Sequence, residues 1–176
     1  MNRTQLVQEL SLYQTSYSEE REFALSFLDL LKSDDAFHRT HLPGHITGST
    51  WIVNSNKTKA LLVHHAKLNR WLQPGGHADG DENVLRVALR EAEEETGITR
   101  LTVLTDQIFD LDIHKIPTRK DFPEHLHFDI RFLIQANEAD QIVVSEESHD
   151  VKWISLKDLE KYNDEPSILR LKKKLL

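Results

Sequence analysis

The chain has 176 residues, no cysteine and a formal net charge of −7, a length that suits one domain with a proper core and a composition that excludes disulfide and thiolate chemistry. No apolar run approaches the roughly 20 residues that span a bilayer, and the start Met1-Asn2-Arg3-Thr4-Gln5-Leu6 lacks the apolar centre of a signal sequence, so a cytoplasmic protein without a membrane partner is expected. No broad basic surface is evident, which argues against a nucleic-acid polymer as partner but leaves room for an anionic small molecule bridged by metal ions.

The first elements read as helices. Leu6, Val7 and Leu10 make a weak apolar stripe, and Phe23, Ala24, Phe27, Leu28 and Leu31 a stronger one after a start at Ser16 or Ser18; Ser33-Asp34-Asp35 ends it. This extension, residues 1–35, is expected to pack on the core, line a pocket or form a dimer contact, so monomer and homodimer both stay open. From His45 the pattern turns to strands, Ile46 to Val53 and Ala60 to His65, joined by the turn Asn54-Ser55-Asn56-Lys57. Trp71 is expected in the core, with stacking on a base as the alternative.

Pro74-Gly75-Gly76 then permits a tight turn in which bare backbone approaches its neighbours. Beyond it, Asn83 is a good N-cap and Gly97 suits a left-handed C-cap, predicting a helix from Val84 to Thr96. Arg86 stands where a capping box would need Glu or Gln. Glu91, Glu94 and Glu95 share one arc of this helix, while Leu85, Ala88, Leu89, Ala92 and Thr96 form its core side. Each exposed like-charge neighbour costs on the order of 0.2–0.5 kcal/mol, so three carboxylates ask for a cation. All-oxygen ligands suit Mg2+ or Mn2+.

Further strands are expected at Leu101 to Ile113, Leu126 to Ala136 and Val151 to Ile154, with helices near Leu156 to Lys161 and Glu165 to Leu175. The cations Arg170 and Lys172 to Lys174 complement the dipole of that last helix. Of 10 histidines, His64, His65 and His77 precede the acidic helix and His114, His125 and His127 follow it. Between Leu126 and Leu133 the alternation is clean: Leu126, Phe128, Ile130 and Phe132 face one way, His125, His127, Asp129 and Arg131 the other. That polar face belongs either in a cleft or in solvent. Imidazole and carboxylate there suit a transition metal, but binding of phosphate oxygens is the preferred reading, with His65, His77, His127 and Arg131 as the substrate-binding candidates.

The stretch Gly76 to Ile98 fits the full pattern G-x5-E-x7-R-E-U-x-E-E-x-G-U, U being a bulky apolar residue. Only Ala92 departs, being small where a larger side chain is usual. The chain thereby resembles the Nudix hydrolases over roughly residues 43 to 160. The resemblance implies an α/β/α sandwich with a mixed central sheet, here with a helical N-terminal extension, all of 1–176 forming one domain with a C-terminal helix at 164–176. It implies Glu94 and Glu95 as core metal ligands, Glu91 as a ligand or orienting base, the Gly75 carbonyl as a further ligand and Arg90 as the holder of these acids, with Glu82 beside it. It also implies a glutamate from a later loop, where Glu146 and Glu147 stand; the distance to Trp153 favours Glu147.

The reaction implied is metal-assisted hydrolysis of a diphosphate linkage in a nucleoside diphosphate-X compound, with Mg2+ or Mn2+ as cofactor. The proline or tyrosine that marks some subgroups beyond the motif is missing, since Ile113, His114 and Lys115 stand there. Two other activities carry less weight. A silent nucleotide-sensing module would normally lose a motif acid, and none is lost. An isoprenyl diphosphate isomerase would need a cysteine.

Overall fold

A computed structural model of the chain describes residues 1–118 and 122–175. It opens with helices α1 (Arg3–Leu12) and α2 (Ser18–Leu30) and a 3-10 turn at Asp34–Phe37. Strands β1 (Gly44–Val53), β2 (Lys59–His65), β3 (Arg70–Leu72) and β4 (Gly75–His77) lead into helix α3 (Val84–Thr96). Strands β5 (Thr102–Val103), β6 (Asp110–Ile116), β7 (His125–Gln135) and β8 (Ser148–Ser155) follow, then a 3-10 turn at Leu159–Lys161 and helix α4 (Pro166–Lys173). Leu176, at the end of the expected C-terminal segment, lies outside the described residues. Among those described, no helix is long and apolar enough to cross a membrane.

The strands form one mixed sheet. β1 runs parallel to β7 from Gly44 opposite Leu126 to Val53 opposite Gln135, and antiparallel to β2 and β4. β2 also carries β3 and β8, and β7 carries β5 and β6. Alternation gives the sheet two different faces. On one, Ile46, Ile52, Phe128, Ile130, Phe132 and Ile134 pack with Leu6, Leu10 and Phe27 of the first two helices and Val84, Val87, Ala88 and Ala92 of α3. On the other, Trp51, Val53 and Leu133 meet Leu159, Ile168 and Leu171. Helices therefore cover both faces, and each large side chain so buried stabilises the fold by about 1.5–3 kcal/mol.

Helix α3 has the expected limits. Asn83 accepts a hydrogen bond from the Arg86 N–H at 3.1 Å, and Gly97, at φ 72°, donates to the Glu93 carbonyl at 2.8 Å. Arg86 pairs with Asp81 instead of reaching back to the cap. The helix sits close to β1: a Cβ on Gly48 would stand 2.9 Å from both a Val84 methyl and the Val84 carbonyl oxygen. Ala88 and Ala92, both fully buried, have the small volume that this approach needs. The helix buries Val84 and Val87, while Leu85 and Leu89, read as core positions, are only partly buried.

Several expectations are corrected. The strand predicted over Leu101 to Ile113 is two strands, because the chain leaves the sheet between Leu104, whose N–H reaches the Leu133 carbonyl, and Phe109, whose N–H reaches that of Arg131. The excursion is held by the Thr105 hydroxyl, which accepts from the Gln107 N–H, and by Glu9, which accepts from the Ile108 N–H. Only a 3-10 turn forms where a helix was predicted at Leu156 to Lys161. Helix α1 carries a capping box that its weak stripe concealed, Asn2 and Gln5 each bonding the other's backbone N–H. Glu82 pairs with Arg3 at 2.8 Å and not with Arg90, and the Met1 amine donates to Asn83 at 3.1 Å, so the extension is tied to the start of α3.

Candidate active site

Strand β4 and the last turns of α3 build the acidic site. Gly75 pairs with Ser49 and Gly76 with Gly48, which lays β4 beside β1. The Gly75 N–H donates to Glu95 Oε2 at 2.9 Å. A Cβ on Gly76 would fall 2.4 Å from Glu91 Oε2, so only glycine leaves room for that carboxylate. Arg90 donates through Nη2 to Glu91 at 2.5 Å and to the His77 carbonyl at 2.9 Å, and its Nε lies 3.8 Å from Glu94. The arginine thus clamps the acids to β4.

The three glutamates differ in setting. Glu95 is buried, Glu91 half-buried and Glu94 exposed. Burial pushes the Glu95 carboxyl up to about 7, against its bond from Gly75 and with added repulsion from Glu91, Glu147 and Glu94. Burial also raises Glu91, with Arg90 opposing and Glu94 and Asp79 adding to it. Glu147 is exposed, 3.8 Å from Lys67, yet its charge is felt at Glu95 and Arg39. Carboxylates so desolvated and mutually repelling, beside bare backbone, are a donor set that fits a hard divalent cation. Arg39, which sequence reasoning did not single out, pairs with Asp79 and acts electrostatically on Glu91 and His77. It comes from the loop before β1, where no local pattern marks it.

The proposed substrate-binding residues scatter. His65 ends β2, opposite Arg70 of β3 and Ser148 of β8, and its Nδ1 accepts from the Lys67 N–H at 3.2 Å. His77 and His127 come together, ring centroids 4.9 Å apart. Arg131 does not face a cleft or solvent. Its side chain is 2 % exposed and bonds Asp129 at 2.9 Å, Asp112 at 3.0 Å and Asp110 at 3.2 Å. With every branch engaged by carboxylates, this guanidinium is a structural group and not a free phosphate ligand.

Arg170 also turns inward, to Asp110 at 2.8 Å, Asp112 at 3.4 Å and Glu19 at 3.0 Å, and Lys174 bonds the Phe109 carbonyl at 2.9 Å. Beyond any effect on the helix dipole, Arg170 and Lys174 each pair with the buried Asp110 at 2.8 Å. Trp71 is half-buried, stacked on His64 at 4.9 Å and edge-on to Tyr162 at 5.7 Å.

Comparison with known proteins agrees with this architecture. The NUDIX domain model matches residues 44–175, and the chain belongs to that family. A probable DHNTP pyrophosphohydrolase of Lactococcus lactis is 26% identical over 123 residues, 69% of this chain and 73% of that protein. An asymmetrical bis(5'-nucleosyl)-tetraphosphatase of Rattus norvegicus is 31% identical over 104 residues, 57% of this chain and 67% of that one. The crystal structure of a C. elegans Ap4A hydrolase binary complex superposes with a TM-score of 0.60 at 24% identity, covering 74% of this chain and 93% of the other, a likeness of fold. The fold is the Nudix α/β/α sandwich and the protein is a Nudix hydrolase.

Proposed function

We propose that this protein hydrolyses a phosphoanhydride bond in a nucleoside diphosphate-X type small molecule, using Mg2+ or Mn2+ held by Glu91, Glu94, Glu95, the Gly75 carbonyl and Glu147. The observation that carries the reading is the buried Glu95 on the Gly75 N–H, with Glu91 wedged against Gly76 beside it. Those residues would hold a divalent cation, which when bound would neutralise phosphate oxygens and lower the pKa of a water molecule. Arg90 orients Glu91 and does not reach substrate. Water attacks phosphorus in line, one P–O bond forms as the anhydride P–O bond breaks, and the proton passes to a carboxylate. Glu91, held in place by Arg90, is suited to receive it where the metal does not engage it fully.

The relatives' names support the class: one is called a pyrophosphohydrolase of DHNTP, another a tetraphosphatase of bis-nucleosyl compounds. They differ in the group beyond the phosphates, so X is left general. A panel of nucleoside diphosphate-X compounds, dinucleoside polyphosphates, sugar nucleotides and nucleoside triphosphates, with Mg2+ and Mn2+ compared, tests the reading. We expect turnover of at least one and a loss of at least about a hundredfold in Glu94→Gln. Turnover unchanged in a folded Glu94→Gln variant overturns the site.

A further inference from the structure

Strand β4 has a second side. Gly76 faces Glu91, so alternation sends His77 to the opposite face of the sheet. There the register collects imidazoles from different strands. His45 of β1 lies opposite His127 of β7, and His114 of β6 lies opposite His127 from the other side. His77 is opposite Thr47, two residues along β1 from His45 and so on the same face, and His125 precedes His127 by two. The rings of His45, His77 and His127 stand 4.9 to 5.2 Å apart, centroid to centroid.

One nitrogen from each of His45, His77 and His127 lies within 4.8 Å of those of the other two. His45 Nδ1 faces the His41 carbonyl at 3.4 Å, while His45 Nε2 is buried with no hydrogen-bond partner among the described residues. An orphaned buried nitrogen is costly unless something meets it. The carbonyl behind Nδ1 is the outer contact that fixes the tautomer of a metal-bound imidazole. His125, with Nδ1 2.9 Å from the Pro123 carbonyl and Nε2 3.3 Å from His127 Nε2, walls the group.

We propose that His45, His77 and His127 form a transition-metal site, most naturally for Zn2+, separate from the carboxylate site and on the opposite face of β4. Small side-chain rotations bring the nitrogens to roughly 3.3 Å spacing around a tetrahedral ion with Zn–N bonds of about 2.0–2.1 Å. The fourth position is left to water or an anion. All-nitrogen donors discriminate against Mg2+, so the two sites take different metals. Burial, with the neighbouring imidazoles, pushes all three histidines below their ordinary range.

The test is Zn2+ titration of chelator-stripped whole protein in excess Mg2+, by calorimetry and metal analysis. We expect one tightly held Zn2+, unaffected by Glu94→Gln and weakened roughly tenfold or more by His45→Gln or His127→Gln. Should those variants fail to fold, imidazole nitrogen resonances of the wild-type protein decide: Zn2+ must shift those of His45, His77 and His127. Absence of tight Zn2+ binding in Mg2+, wild-type affinity in a folded His127→Gln variant, or unmoved imidazole signals overturns the proposal.

Discussion

At the scale of single residues, the site depends on what is missing from Gly76. With no Cβ it leaves Glu91 its place, so Gly76→Ala is expected to displace that carboxylate and lower kcat/KM by roughly tenfold to a hundredfold, with little loss of stability. A steady-state assay beside a melting curve checks both halves. Glu95 has its own signature. Below the ordinary carboxylate range it is protonated folded or unfolded and contributes nothing to pH dependence. As pH rises toward about 7 the unfolded chain gives up the proton while the metal-free fold retains it, so stability declines across that window and levels above it. Buried His77 and His127, held below their ordinary 6.5, act oppositely: the unfolded state takes up their protons first as pH falls. The Glu95 contribution is therefore read as a difference. Metal-free Glu95→Gln should gain Tm on wild type from pH 5 to pH 7.5, and Mg2+ or Mn2+ should help only the wild type strongly at the upper end. A constant difference across that range contradicts the burial of an unneutralised carboxylate.

At the scale of elements, what was legible in the sequence was local. The caps of α3 were readable because Asn83 and Gly97 act within one turn of the helix. The alternation of β7 was readable too, and its apolar side does reach the core. Where its polar side goes is not, since two of the three acids on Arg131, Asp110 and Asp112, come from β6 and its Ser167 carbonyl contact from α4, all distant along the chain. Likewise His125 and His127 announce a shared face, but His45 joins them only through the parallel pairing of β1 with β7. That Arg90 holds the acids follows from the family resemblance and not from a local pattern, and nothing near Glu82 signals that Arg3 folds back to pair with it. Arg131 now carries a prediction of its own. Arg131→Ala leaves the buried Asp129 with the Thr47 and Ser49 hydroxyls but no cation among the described residues, and removes one of the cations on Asp110 and Asp112, which keep Arg170; it should cost about 3–5 kcal/mol, read by denaturant unfolding. A loss under 1 kcal/mol would mean that the network is not holding β6 and β7 together.

At the scale of the molecule, one sheet separates two chemistries. Its α3 side carries carboxylates on a rigid helix pinned by Arg90, and its other side carries a buried polar layer from the histidines through Asp129 and Arg131 to Arg170. The N-terminal helices belong to this construction: Leu6, Leu10 and Phe27 enter the core behind α3, and Glu19 reaches Arg170. Their packing supports the helix on which the acids stand. The central claim is that water attacks phosphorus at those acids, and the most direct measurement is turnover of an accepted substrate in 18O-labelled water with product mass analysis. One 18O is expected in a phosphate-bearing product, with turnover lost on chelation and in Glu94→Gln. Label in a non-phosphate fragment, or a product of unchanged mass, would contradict it.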